Sequence, residues 1–206
     1  MAKLTRDFFA GDTLSVAPAL LGKYLCRRLD GALLCGRIVE TEAYIGRCDK
    51  ACHAYQYRRT NRTEPLFMAP GHAYIYLIYG MYHCLNFVTE PEGEPAAVLL
   101  RGLEPVAGTD AMARLRFGDA PMTPYRRKNF LNGPGKVCRA LSLTLRENRM
   151  DLMGDTLFLC DSPEDIGLPP APPAEERILT GPRVGVDYAE EARDFPWRFR
   201  LERKDG

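Results

Sequence analysis

The chain has 206 residues, of which 46% are hydrophobic and 27% are charged, and its formal net charge is +1. This composition is typical of a globular protein and excludes a disordered one. It also excludes membrane-spanning helices, since no apolar run reaches the length of about 18 residues that a bilayer requires.

The N-terminal segment, residues 1–15, carries four charged residues. It therefore lacks the continuous apolar core of a secretory signal, and we expect a cytoplasmic protein. A short helix is predicted in "TLSVAPALLGKYL", with Thr13 or Ser15 as its cap, a proline in its first turn and Gly22 as its end.

A β-hairpin is predicted next, because Asp30-Gly31 separates two strand-like runs and is a preferred two-residue turn. On the second strand, "RIVETEAY", alternation places Glu40, Glu42 and Tyr44 on one face. Carboxylates are depleted in strands, so this face is either solvated, ion-paired or a source of a general base.

The segment from residue 45 to residue 65 is polar and rich in turns, and it contains the basic run "YRRTNR". We expect a surface loop with one helical turn near "DKACHAY". Cys48, Cys52 and His53 have the spacing of part of a zinc site, but no second close pair completes four ligands. The sequence therefore predicts no metal and no cofactor, and the seven cysteines are expected to be free thiols.

An aromatic hairpin is predicted at "AYIYLIYGMYHCLNFVT", with Tyr79, Gly80 and Met81 at its tip. Exposed bulky apolar residues reduce solubility unless something receives them. Wedges of this kind enter the minor groove of DNA and part the base stack. An enzyme that acts on a base flips it into a pocket with aromatic walls and polar readers. Such walls and readers are available here as Tyr44, Tyr76, His53 and Asn86.

The remaining chain alternates between short elements and loops. A strand is predicted at "AAVLLRGLEP", a helix from Thr109 to Gly118, a helix near Pro134 and a capping box at Thr144. A strand at "TLFLC", a rigid loop at "GLPPAPPAEE", the loop "TGPRVGVDY" and a strand near "WRFRLE" follow. Because strands cluster between residues 24 and 104, we expect an α+β fold in a single domain, residues 1–206, with a curved, mostly antiparallel or mixed sheet and peripheral helices.

Charge is uneven along the second half of the chain. Residues 121–150 carry seven Lys and Arg and one acid, whereas residues 151–176 carry seven acids and no Lys or Arg. This asymmetry indicates either a basic face for phosphates or two solvated segments of opposite sign.

Five separated motifs, in order, resemble the alkyladenine (3-methyladenine) DNA glycosylases of the mammalian AAG type, in a compact bacterial form. They are "RIVETEAY", "HAYIYLIYGMYHCLN", "AVLLRGLEP", "NGPGKVCRAL" and "GPRVGV". The resemblance covers nearly the whole chain and implies that the hairpin protrudes and enters the DNA minor groove.

The resemblance also implies roles for single residues. By this resemblance, Glu42 would be the general base that activates water, and Arg101 would help to hold that water. The base pocket consists of Tyr44, His53, Tyr76 and Asn86, the intercalating side chains are Tyr79 and Met81, and the DNA backbone contacts are Arg58, Arg59 and Arg62.

The implied function is a monofunctional glycosylase of base excision repair, without strand cleavage. Its partner would be double-stranded DNA that contains alkylated or deaminated purines, and we expect a monomer associated with a bacterial nucleoid. Two alternatives stay open from the residues alone: a non-catalytic module that binds damaged or bent DNA, and a nucleoside hydrolase.

Overall fold

The structure, a computed structural model, describes residues 2–171 and 175–203. The strands of this part of the chain, β1 to β8, are Tyr24–Leu29, Ala32–Ile45, Ala73–Ile78, Tyr82–Val88, Ala96–Ala107, Leu157–Cys160, Glu176–Gly181 and Arg198–Arg203. Its α-helices, α1 to α5, are Arg6–Phe9, Thr13–Ala19, Thr109–Phe117, Pro124–Lys128 and Pro134–Ala140. Short 3-10 helices lie at Tyr55–Tyr57, Glu64–Phe67, Leu145–Glu147, Pro163–Ile166 and Glu190–Asp194.

The strands form one sheet in the order β3-β4-β5-β2-β1-β6, and every described pairing is antiparallel. The long strand β2 pairs with β5 along one edge. Its other edge is shared, because β1 pairs with the first half and β8 with Glu40–Glu42, while β7 extends the sheet through β8. The α+β fold with a mostly antiparallel sheet is therefore confirmed.

One face of this sheet carries the apolar side chains of the main core, and the other carries polar and aromatic side chains. Side chains of one face pack with α2, α3 and α5 into the main core, which includes Ala43, Ile75, Leu85, Phe87, Val98 and Leu100. Residues alternate between faces along a strand. The other face consequently presents Glu42, Tyr44, Tyr76, Asn86 and Arg101, the set on which the sequence analysis focused.

Local turn and cap chemistry confirms most predicted boundaries. Asp30 and Gly31 both have positive φ and join β1 to β2 as predicted. Helix α3 spans Thr109–Phe117 and ends against Gly118, α5 begins at Pro134, and Thr144 forms the predicted capping box.

Other local predictions are wrong. Asp12 caps α2 through a hydrogen bond from Leu14 N, and the proline lies near the end of that helix, not in its first turn. Strand β7 replaces part of a predicted loop, because its residues pair with β8 and carry no strong strand pattern of their own. Of the proline-rich segment, residues 172–174 lie outside the described residues.

The prediction that residues 45–65, after β2, form a surface loop is also wrong in part. Asp49, Cys52 and Ala54 are buried, although the segment is polar in sequence. Its polarity is accommodated because Asp49 is ion-paired inside the protein. The first part of the segment is therefore buried, whereas residues 56–62 are exposed as predicted.

Candidate active site

A cavity of about 550 Å³ lies on the polar face of the sheet. Strands β2 to β5 each supply wall residues, and two loops, residues 51–53 and 184–188, close it. Its volume falls within the range of small-molecule sites, and aromatic rings form much of its lining. The ring-bearing residues of the lining are Tyr44, His53, Tyr74, Tyr76, Tyr79, Tyr82 and Tyr188.

Glu42 lies behind the lining of this cavity, in contact with the lining residues Tyr44, Arg101 and Val184, and 0% of its surface is exposed. Tyr44 donates its hydroxyl hydrogen to Glu42 Oε2 at 2.7 Å, and the backbone amide of Val184 donates to Oε1 at 2.8 Å. Burial raises the pKa of Glu42, while Arg101 and these two donors act in the opposite direction. The carboxylate is therefore held in one orientation and titrates above its usual range.

Arg101 lies between the two carboxylates of the acidic face. Its guanidinium is 3.3 Å from Glu40 Oε1 and 3.4 Å from each carboxylate oxygen of Glu42. Glu40 also accepts a 2.6 Å hydrogen bond from Arg198 on β8. Glu40 is thus ion-paired at short range, whereas Glu42 has only long contacts with a cation.

His53 is held by two neighbours, Tyr74 and Arg62. Its Nδ1 lies 2.9 Å from the Tyr74 hydroxyl, and its Nε2 lies 3.4 Å from Arg62 Nη2. A guanidinium only donates, so Nε2 accepts and Nδ1 carries the hydrogen. Burial, together with the charge of Arg62, lowers the pKa of His53 to about 4. The imidazole is therefore neutral near pH 7.

Asn86 is buried in the same wall, opposite Tyr74 across the β3–β4 pair. Its Nδ2 donates to the Tyr74 carbonyl at 3.0 Å, which fixes the orientation of the amide. Tyr76 contacts the His53 ring edge-on with centroids 4.6 Å apart. These three side chains line one continuous part of the cavity.

The hairpin tip is exposed as predicted: Tyr79 is 78% and Met81 is 67% exposed. Tyr79 and Gly80 have φ of 53° and 70°, and Met81 N donates to Ile78 O to close the turn. The tip lies at the cavity, since Ile78 and Tyr79 belong to its lining.

The three arginines of the predicted backbone contact have different environments. Arg59 is paired with Glu64 at 2.8 Å and lies over the Phe67 ring. Arg62 lies over the Tyr76 ring, with 5.4 Å between its guanidinium carbon and the ring centroid. Arg58 lines a neighbouring cavity together with Arg62 and His53.

The sequence analysis missed several residues that build this site. Tyr74 holds His53, and Val184 holds Glu42. Arg183 fixes the loop that carries Val184 by pairing with Asp49, and both side chains are fully buried. The motif "GPRVGV" was the available signal, but nothing local in it indicates a partner 142 residues away.

The model of the family described as methylpurine-DNA glycosylase matches residues 7–205. The chain belongs to the methylpurine-DNA glycosylase family.

Relatives of this chain support the same assignment. It is 52% identical to a Bacillus cytotoxicus protein over 97% of this chain and 96% of that one, and 51% identical to a Bacillus mycoides protein over 96% and 95%. Both relatives carry the name "Putative 3-methyladenine DNA glycosylase". Methylpurine-DNA glycosylases are DNA-repair hydrolases that act on N-glycosyl bonds, and this chain is therefore placed among them.

Two further findings bear on the earlier expectations. Within residues 2–171 and 175–203, no helix has the length and apolar character that a membrane crossing needs. In the same ranges no three His, Cys, Asp or Glu side chains converge as metal ligands. His53 of the partial zinc pattern instead contacts Tyr74.

Proposed function

We propose that this protein is a monofunctional DNA-3-methyladenine glycosylase that flips a damaged purine into the aromatic cavity. Water activated by Glu42 hydrolyses the N-glycosyl bond and leaves an abasic site. The observation that carries this proposal is the fully buried Glu42 carboxylate, which is oriented by three donors that themselves line the aromatic cavity, Tyr44, Arg101 and Val184.

The contact distances around Glu42 are compatible with an attacking water that Glu42 and Arg101 hold together. The contacts from Tyr44 and Val184 are short, whereas those from Arg101 are 3.4 Å. Contacts of this length are weak hydrogen bonds, so the Arg101 guanidinium keeps donor capacity for a water in the cavity that it lines. Such a water would accept from Arg101 and donate to Glu42, which would orient its lone pair toward the sugar.

The same carboxylate would also stabilise the reaction electrostatically. Breaking the bond to the base develops positive charge at C1′, and an anion in a water-excluded site stabilises that charge strongly. Arg101 favours the ionised form of Glu42 and so opposes burial, which raises the pKa of this carboxyl.

The cavity suits a flipped, cationic purine. Tyr44 and Tyr76 offer ring faces that attract a positively charged base. Burial raises the pKa of both tyrosines, so their rings stay neutral. Asn86, held through Nδ2, would act as the screen against the exocyclic groups of normal purines, and His53 would be a neutral polar reader.

Water rather than an amine as nucleophile is supported by the cavity lining, which contains no lysine among the described residues. Lys136 is directed elsewhere, since its Nζ contacts Asn129 and Asn132. Among the described residues, no lysine amine lines the cavity to form a Schiff base with the sugar. Strand cleavage by a lyase reaction therefore has no candidate nucleophile there.

The test is base release from a panel of duplexes that contain 3-methyladenine, 7-methylguanine, hypoxanthine or ethenoadenine, followed by alkali to reveal abasic sites. Glu42→Gln should retain binding to lesion duplex and lose about 10² to 10⁴-fold in the single-turnover rate, the usual contribution of a positioned base or charge stabiliser.

Glu40→Gln is the matched control, because Glu40 shares the strand face and the Arg101 contact but is paired with Arg198. Its rate should fall far less than that of Glu42→Gln. Equal losses in the two variants, or undiminished excision by Glu42→Gln, would remove Glu42 from its assigned role.

A further inference from the structure

Seven Lys and Arg residues between positions 114 and 139 have no ion pair with any residue that the structure describes. They are Arg114, Arg116, Arg126, Arg127, Lys128, Lys136 and Arg139. By contrast, Arg59 of the basic loop after β2 is already paired with Glu64. Arg58 and Arg62 of that loop also lack an ion pair, but the largest group of unpaired cations among the described residues lies on α3, α4 and α5.

Within this set, Arg116 and Lys136 converge on one residue. Arg116 Nη2 donates to the Asn129 carbonyl at 3.3 Å, and Lys136 Nζ donates to the Asn129 side chain at 3.3 Å and to Asn132 Oδ1 at 2.7 Å. Arg116 and Arg126 lie over the same Phe117 ring, at 4.8 and 5.3 Å. Neutral amides, carbonyls and a ring, instead of carboxylates, hold these cations.

The electrostatic cost of this arrangement is visible in two groups. Burial lowers the pKa of Arg116, and the charge of Arg139 adds to that effect. Burial also lowers the pKa of Lys136, with Arg116 as the second cause. Arg116 Nε is buried without a hydrogen-bond partner among the described residues. Cations that repel one another at such a cost are typical of an anion site rather than of a solvated face.

This cluster lies beside the aromatic hairpin. At Gly135, next to Lys136, a Cβ atom would come within 3.0 Å of Tyr82, so the start of α5 packs directly against the hairpin. Pro134 and Gly135 also line the main cavity. A duplex that receives Tyr79 and Met81 would bring its sugar-phosphate backbone close to the hairpin and hence to these cations.

We propose that Arg116, Lys136 and Arg139 form a binding site for a backbone phosphate of duplex DNA beside the hairpin. The partner is a phosphodiester because it supplies the anion that the cluster lacks, without sequence preference. This inference rests on the proposed function. It assigns the phosphate contact to α3 and α5, whereas the resemblance indicated Arg58, Arg59 and Arg62.

The test is the salt dependence of binding to an undamaged duplex, measured by fluorescence anisotropy. Arg139→Gln and Arg116→Gln should each reduce the slope of log K against log[salt] by about one. Arg177→Gln is the control, because it removes the same charge from an exposed arginine that is paired with Glu202 on the β7–β8 hairpin. Its slope should match that of the wild type.

Thermal unfolding without DNA provides the second readout. Arg139 is exposed, so Arg139→Gln should fold and should unfold at the same or a higher temperature, since repulsion with Arg116 is relieved. A lower unfolding temperature would mean that Arg139 is structural and would overturn the proposal. So would a wild-type slope in both variants.

The two proposals fail separately. Binding to undamaged duplex requires no base release. If the wild-type protein excises lesions but both Arg139→Gln and Arg116→Gln keep the wild-type salt slope, only the phosphate site is refuted. A wild-type protein that releases no base from any lesion duplex refutes the proposed function.

Discussion

At the scale of single residues, the candidate site depends on environments that set protonation. Glu42 and His53 would both be ionised or partly ionised in water near neutral pH. Inside the protein both charged forms are disfavoured: the pKa of Glu42 rises and that of His53 falls to about 4. In both cases burial is the largest cause. The imidazole of His53 is therefore neutral near pH 7, and the ionised form of Glu42 is favoured by Arg101 against the effect of burial.

This balance predicts opposite pH effects for two neighbouring substitutions. The rate of base release should fall as the pH drops through the raised pKa of Glu42, because the base must be ionised. Arg101→Gln removes a favourable charge, so the acid limb should move to higher pH. Glu40→Gln removes a like charge and should move the limb to lower pH by a smaller amount.

The measurement is the single-turnover rate on a 7-methylguanine duplex across the acidic range, where the lesion is already cationic. Shifts of the same sign in both variants would contradict this account of Glu42.

At the scale of elements, the β3–β4 hairpin combines strain with exposure. Tyr79 and Gly80 both adopt left-handed backbone conformations, which a tyrosine rarely does. The bulky side chains of Tyr79 and Met81 nevertheless stand in solvent. Strain and exposure at the same turn are typical of a functional element rather than of a stability device.

Gly80→Ala should destabilise the protein by about 1 kcal/mol, because an alanine with φ near 70° is strained although no atom lies within 4 Å of the added Cβ. Gly181→Ala is the control. It also adds a methyl group in open space, but its backbone is not left-handed. Chemical unfolding of the two variants tests this, and an equal effect would show that backbone conformation is not the cause.

Element predictions from sequence were accurate where the signal is local. The Asp30-Gly31 turn, the end of α3 at Gly118 and the Thr144 capping box each depend on residues within a few positions. Strand β7 was missed because its residues gain their partners only from β8, about 20 residues later. The alternation of Glu40, Glu42 and Tyr44 was read correctly, since all three meet on the cavity side through Arg101 and hydrogen bonds.

At the scale of the whole molecule, a buried ion pair connects the C-terminal segment to the site. Arg183 binds Asp49 through two nitrogens and also donates to the carbonyls of Ala43 and Ala192. Its neighbour Val184 donates to Glu42. The position of the Glu42 carboxylate therefore depends on how the C-terminal segment returns to β2.

Asp49→Asn should lower the free energy of unfolding by about 3 to 5 kcal/mol, because it leaves a buried guanidinium without its counter-charge. It should also reduce the excision rate of the folded fraction, since the loop that holds Glu42 loses its anchor. Asp194→Asn is the control, as Asp194 pairs with Arg193 on the surface and should contribute little. Urea unfolding distinguishes the two, and similar stabilities would show that the buried pair is not an anchor.

The sequence by itself predicted the α+β class, the hairpins, most helix ends and the shared face of Glu40, Glu42 and Tyr44, because alternation and turn chemistry act over a few residues. The choice of Glu42 over Glu40, and the candidate Arg101, came from the resemblance to the family. Only the tertiary structure decided that Glu42 is enclosed by Val184, that Arg62 contacts His53 and that the unpaired cations lie beside the hairpin. The physical reason is range. These contacts join residues far apart in the chain, and burial, hydrogen bonding and charge at such contacts exist only once the sheet has brought them together.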